Sequence, residues 1–142
     1  MKAPAIVVAF DAWNAAGGAR EMQSRRDLDP LTMPRSLLPH ILLVDVEHVP
    51  RLRFRWRLIG THITQRLGRD STRLYWDELY DPAVYKAMCS TVNWVLKERK
   101  LVRFLGFAPL DEKTHLSSEN IDMPLSTNGS EIDMIMVASV YS

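Results

Sequence analysis

The chain is short of cysteine, of glycine and of net charge. A single thiol, Cys89, in 142 residues excludes an internal disulfide and a cysteine-rich zinc site, and it suits a reducing compartment. Six glycines, none in a Walker or dinucleotide pattern, leave no phosphate-cradling loop. A formal charge of +1 provides no general attraction to nucleic acid or to an anionic membrane surface. No apolar run approaches the roughly 20 residues that a membrane-spanning helix needs. The apolar stretch at residues 5–10 follows Pro4 and stops at Asp11, which is too short for a secretory leader. Repeats and low-complexity tracts are also missing. From these absences the expectation is a cytoplasmic protein with no membrane and no nucleic-acid partner.

What is present is an ordinary globular composition, 46% hydrophobic and 25% charged, in a chain long enough to bury a core without covalent staples. The most informative segment spans residues 41–70. It reads as two short strands, residues 41–47 and 52–61, broken at His48-Val49-Pro50. Along the second strand Arg53, Arg55 and Arg57 alternate with Leu52, Phe54, Trp56 and Leu58. A period of two puts rings and aliphatic groups on one face and guanidinium groups on the other. Gly60-Thr61-His62 makes a corner, and Gly68-Arg69-Asp70 a second break.

Ahead of this segment, residues 5–16 predict a short helix with Ile6, Val7, Phe10 and Trp13 near one stripe, ended by Gly17-Gly18. A polar stretch over residues 20–29 leads through Asp29-Pro30 into a helical turn around residues 33–38, which Pro39 closes. Beyond the strands, residues 63–67 predict one helical turn, and residues 69–79 a mixture of loop and short helix carrying Trp76. Asp81-Pro82 then opens the longest helix, running to about Arg99, because Asp caps free N–H groups and Pro suits the first helical position. Val84, Met88, Val92 and Val95 share one face of it. Ala87 and Thr91 stand beside that face, and Tyr85, Cys89 and Leu96 widen it. Three strands follow, at residues 101–107, within 117–125 and at 131–141, with Asn128-Gly129 as a hairpin turn. In the last strand Ile132, Met134, Met136, Ala138 and Val140 share one face, while Ile135, Val137 and Tyr141 make the other apolar too. Both faces of that strand therefore need cover, and the first helix is the candidate for the outer one. The order gives an α+β domain with a five-stranded antiparallel sheet and helices over one face. The domain division is residues 1–30 as N-terminal helix and irregular lead-in, and residues 31–142 as the sheet domain.

Several stretches carry a resemblance. They are Ser24-Arg25-Arg26-Asp27-Leu28-Asp29-Pro30, Leu37-Leu38-Pro39-His40-Ile41-Leu42-Leu43-Val44-Asp45-Val46, and Phe54-Arg55-Trp56-Arg57-Leu58-Ile59-Gly60-Thr61. Gly68-Arg69-Asp70-Ser71-Thr72 and Met123-Pro124-Leu125-Ser126-Thr127-Asn128-Gly129 complete the set. In order and spacing they resemble a PAS domain, and more narrowly a divergent family of bacterial stand-alone PAS-like proteins. The resemblance implies strand order 2-1-5-4-3, helices forming a pocket over one face, and a role in sensing, ligand binding or homodimerisation. The family pattern usually has Gly after the Asp-x-Thr, and Arg73 stands there. If that site needs a positive φ, Arg73 is strained.

Candidate chemistry is sparse. His40, His48, His62 and His115 have no helical spacing to one another or to carboxylates that would make a metal site. Haem-binding relatives commonly carry an axial His on the long helix, and residues 83–99 contain none. Photoactive flavin proteins of this class need a Cys near the Gly-Arg corner, and none is there. Haem and photoactive flavin are thus disfavoured, and no cofactor is predicted. Ser71 and Thr72 have no base at an activating spacing, so no enzyme is expected. The candidate ligand pocket comprises Trp56, Leu58, His62, Trp76, Met88, Val92, Met134 and Met136, and either a filled core or a small-molecule cavity of roughly 300 Å³ satisfies that pattern. Two functions follow from these alternatives. One is a sensory module for a small apolar or aromatic ligand that signals to an unidentified protein partner by contact. The other is a ligand-free homodimerisation or interaction adaptor with Ile6, Val7, Phe10 and Trp13 as its interface stripe.

Overall fold

In the computed structural model the described residues are 3–17, 23–24, 28, 33–68, 70–107 and 117–141. Gly18, most of the polar 20–29 stretch, Asp29-Pro30, Arg69 and His115 lie outside them. Helix α1 spans Pro4–Gly17, strand β1 Ile41–Glu47, β2 Arg53–Ile59, helix α2 Thr61–Leu67, α3 Trp76–Leu79 and α4 Pro82–Glu98. Strands β3 (Val102–Phe107), β4 (Ser117–Leu125) and β5 (Met134–Tyr141) follow. The five strands form one antiparallel sheet in the order β2-β1-β5-β4-β3.

Central strands β1 and β5 read as nearly continuous apolar runs, interrupted by Asp45 and Ser139, because both faces of the sheet are covered. On one face Leu42, Val44, Phe54, Trp56, Ile135 and Val137 pack with Trp76 of α3 and with Val92 and Val95 of α4. Trp76 sits 5.0 Å from Trp56 and 5.1 Å from Phe54, ring centre to ring centre, in tilted geometry. On the other face Ile41, Leu43, Ile121, Met123, Met134, Met136 and Ala138 meet α1, whose Ile6 and Ala9 are fully buried. Polar contacts pin that helix: Trp13 Nε1 donates to the Pro124 carbonyl at 3.1 Å, and the Ala3 N–H donates to Glu119 Oε1 at 2.6 Å. Val102 lies opposite Asp122, so β3 has ended before Pro124. A proline is tolerated there because no ladder hydrogen bond is needed from its nitrogen on that side.

Local chemistry sets the breaks. Asp81 caps α4 by accepting from the Val84 N–H at 2.9 Å, and Pro82 occupies the first turn. Asn128 Oδ1 accepts from the N–H groups of Ser130 and Glu131, both at 2.9 Å, and Gly129 takes φ +84° between β4 and β5. Gly60 is required by close approach, since a Cβ there would lie 2.3 Å from the Pro39 carbonyl oxygen. Arg73 adopts φ +74°, the left-handed conformation glycine takes freely. Its N–H donates to the Trp56 carbonyl at 2.6 Å, and the Trp56 N–H donates to the Leu74 carbonyl at 3.1 Å. The segment around Arg73 thereby covers part of the outer edge of β2, which would otherwise invite pairing with another chain.

One strand departs from simple alternation. The β1–β2 register slips between Leu43 and Val44, so that Leu43 faces Leu58 while Val44 faces Trp56. Arg57 is the extra residue of a β-bulge, and past it the parity of β2 is reversed. Leu58 therefore leaves the face of Phe54 and Trp56 and is 39% exposed.

Candidate functional site

Helical spacing on α4 brings Val84, Ala87, Met88, Thr91 and Val92 into one stripe above the β3–β4 end of the sheet. Below that stripe lies a cleft of about 310 Å³, closed by Trp76, Phe104 and Asp122. Its lining is apolar and aromatic apart from Thr91 and Asp122, and its volume is at the lower end of small-molecule sites.

Asp122 reaches this cleft through the alternation of β4. Ile121, Met123 and Leu125 point into the α1 layer, so their neighbours Asn120 and Asp122 fall on the α4 side. Both polar side chains are buried, with very different outcomes. Asn120 is satisfied, accepting from Ser139 Oγ at 2.6 Å and donating to Ser118 Oγ at 2.9 Å. Asp122, 4% exposed and in register with Val102 and Val137, has no hydrogen-bond partner at Oδ1 among the described residues. Removal from water disfavours the charged form and pushes the carboxyl from its ordinary 3.8 up to about 7. The indole N–H of Trp76 is likewise buried without a partner among the described residues. An unpaired buried acceptor typically costs about 1–3 kcal/mol. Two such atoms on side chains that line one cleft form a distinctive pattern.

A second cleft, of about 340 Å³, lies at the C-terminal end of α4 between Leu96, Arg99 and the His48 and Ser130–Ile132 region. Its polar groups already hold one another. His48 Nε2 lies 2.7 Å from the Ile132 carbonyl, and Arg99 donates to the Ser130 carbonyl at 2.5 Å. Cys89 packs against the α4-side core, and burial pushes its thiol up despite a hydrogen bond with Tyr85. Among the described residues no three His, Cys, Asp or Glu side chains gather as a metal site.

The structure brings together three of the eight pocket candidates read from sequence: Trp76, Met88 and Val92 line the cleft. Trp56 stands behind Trp76 and donates through Nε1 to the Tyr80 hydroxyl at 3.0 Å, outside the lining. Leu58 is turned away by the bulge. His62 belongs to another corner, where its Nε2 accepts from the Tyr141 N–H at 3.2 Å and its ring lies 4.2 Å from His40. Burial, with His40 beside it, holds His62 below its ordinary range. Met134 and Met136 sit in the α1 layer, at 2% and 0% exposure. Both faces of β5 are apolar, so hydrophobicity alone could not tell which one α4 covers. Val84, Ala87, Thr91, Phe104 and Asp122 were missed as lining residues. The available signal was Asp122 itself, a carboxylate inside the apolar run Ile121-Asp122-Met123.

The α1 stripe divides as well. Ile6 is buried on the sheet, Phe10 and Trp13 pack partly buried beside it, and Val7 points outward at 39% exposure. In β2 the arginines are engaged in pairs. Arg53 grips Asp77 at 2.8 and 2.9 Å with its guanidinium 3.6 Å from the Tyr75 ring centre, and Arg55 donates to Asp45 at 3.0 Å. Hydrogen bonding to Arg53 holds Asp77 below its ordinary range. No helix among the described residues is long and apolar enough to cross a membrane. A family model described as PAS domain matches residues 1–138. No curated protein matches the chain.

Proposed function

This chain belongs to the PAS domain family, and on that premise we propose that it is a sensory module whose cleft beneath α4 receives a small apolar or aromatic molecule. The observation that carries the reading is the cleft itself: about 310 Å³ between helix and sheet, two of whose lining side chains, Trp76 and Asp122, each hold a buried polar atom without a partner among the described residues. A core selected only for packing fills such space and pairs such atoms. Because α4 forms one wall, occupancy changes how that helix sits on β3 and β4, and the change leaves the domain by contact with a protein partner. A ligand acts in this way only through different affinity for two arrangements of the helix.

The test is titration of the protein with indole and with ethylbenzene, read from methyl and indole NMR shifts of Met88, Val92 and Trp76. Binding should be abolished by Ala87→Trp, which adds bulk to the cleft from an exposed lining position outside the buried core. No shift with either probe, together with native mass spectrometry showing a clean homodimer without bound small molecules, would favour the adaptor reading instead.

A further inference from the structure

Resting on that reading, we infer that the molecule taken by the cleft is a small amphiphilic amine, its ammonium group on Asp122 Oδ1 and its apolar or aromatic body between α4 and Phe104. The first argument is complementarity. When ionised, a carboxylate accepts hydrogen bonds and donates none, and among the described residues Oδ1 is a buried acceptor that lacks a donor. A wholly apolar ligand leaves it unpaired, and a carboxylate or phosphate ligand is repelled by it.

Charge supplies the second argument. The elements around the cleft present Trp76 from α3, the α4 stripe, Phe104 from β3, and Val102 and Val137 flanking Asp122 in the sheet. Asp122 is the sole titratable side chain among the lining residues, and burial alone accounts for its displaced pKa. Among the described residues no cationic side chain lines the cleft beside it, so the ionised form takes its partner from outside, and a cation is the complementary one. A charge-assisted N–H···O bond is about twice as strong as a neutral one. The rings of Trp76 and Phe104 add attraction for an ammonium group. The third argument is size. An apolar cavity of about 150 Å³ holds benzene, so about twice that volume holds one ring plus a short amine-bearing chain.

Binding is then linked to a proton. An ammonium ion requires Asp122 ionised, so it displaces the proton that the empty site keeps near neutrality. Affinity for the amine therefore rises with pH until the free carboxyl is fully ionised.

Calorimetric titration of the full chain with 2-phenylethylamine, 2-phenylethanol and ethylbenzene tests this at pH 8 and pH 6. At pH 8 the amine should bind about tenfold or more tightly than the alcohol, a charge-assisted against a neutral contact. Between pH 8 and pH 6 its affinity should fall by about tenfold, as expected for one displaced proton, while the alcohol and ethylbenzene stay constant. Asp122→Asn should abolish the preference for the amine and leave ethylbenzene binding intact. Equal binding of amine and alcohol, or an amine affinity indifferent to pH, overturns the inference. The pH comparison uses wild-type protein, so it stands even if Asp122→Asn does not fold. Ethylbenzene binding without amine preference overturns the amine and leaves the cleft as a ligand site. Failure of all three probes overturns both.

Discussion

The sharpest consequence of the site concerns the empty protein and its stability against pH. Asp122 carries a carboxyl at about 7 in the folded chain and at its ordinary 3.8 when unfolded. Below the lower value both states hold the proton and the residue has no pH-dependent effect. As pH rises from about 4 to 7 the unfolded chain ionises first, so the folded state loses stability through that window and levels off above it. Roughly three pH units at ~1.4 kcal/mol each make a loss of ~4 kcal/mol, a large part of a small domain's stability. Asp122→Asn keeps the shape and removes the titration. It leaves an unpaired buried amide at a constant cost of about 1–3 kcal/mol. The two stability curves should therefore cross, with the variant weaker near pH 4.5 and stronger at pH 8. Other titrations, such as that of His62, occur in both proteins and cancel in the difference. Urea denaturation of ligand-free wild type and variant at half-unit pH steps measures this directly. Parallel curves over that range would refute the account of Asp122 as an uncompensated buried acid.

Three further outcomes follow from the fold. Gly60→Ala forces a methyl to within 2.3 Å of the Pro39 carbonyl oxygen and should cost about 2–3 kcal/mol by denaturant midpoint, because backbone lies on both sides of the clash. Arg73→Gly relieves a left-handed non-glycine residue worth about 1–2 kcal/mol and adds unfolded-chain entropy worth about 0.5–1. The net should be a gain of about 0.5–1 kcal/mol, seen as a rise of roughly 2–4 °C in Tm. Ile6→Ala should destabilise by about 2–4 kcal/mol, since Ile6 is fully buried, whereas exposed Val7→Ala should stay within ~0.5 kcal/mol in the same unfolding assay. Equal small effects would mean that α1 does not anchor the outer face of the sheet.

Much of the architecture was legible residue by residue. Asp81-Pro82 marks the start of α4 because capping and a fixed φ are properties of those two residues alone. Asn128-Gly129 marks the β4–β5 turn for an equally local reason, and the strand lengths follow from runs of alternating or continuous hydrophobicity. The resemblance carried the strand order, and the site of Arg73 does take a positive φ, as its usual glycine implies. The candidate site was harder to read. Trp76, Met88 and Val92 lie on the cleft, yet Leu58, Met134 and Met136 were assigned to it by parity, and parity failed in two distinct ways. In β2 a bulge at Arg57 reversed the alternation within the strand. In β5 both faces are apolar, so the pattern holds no information about which helix covers which.

The sequence by itself determined where the chain turns, which segments are helix or strand, and that both faces of the sheet must be covered. These depend on backbone preferences and on side chains within a few residues of one another. Only the tertiary structure decided that α1 takes Met134 and Met136, that α4 stands over β3 and β4, and that Asp122 ends beneath it unpaired. A carboxylate's surroundings are set by residues far away in the chain. Asn120 found Ser118 on its own strand and Ser139 on the next, and Asp122, two residues on, came to lie between Val102 and Val137 on the lining of the cleft, with Oδ1 unpaired among the described residues.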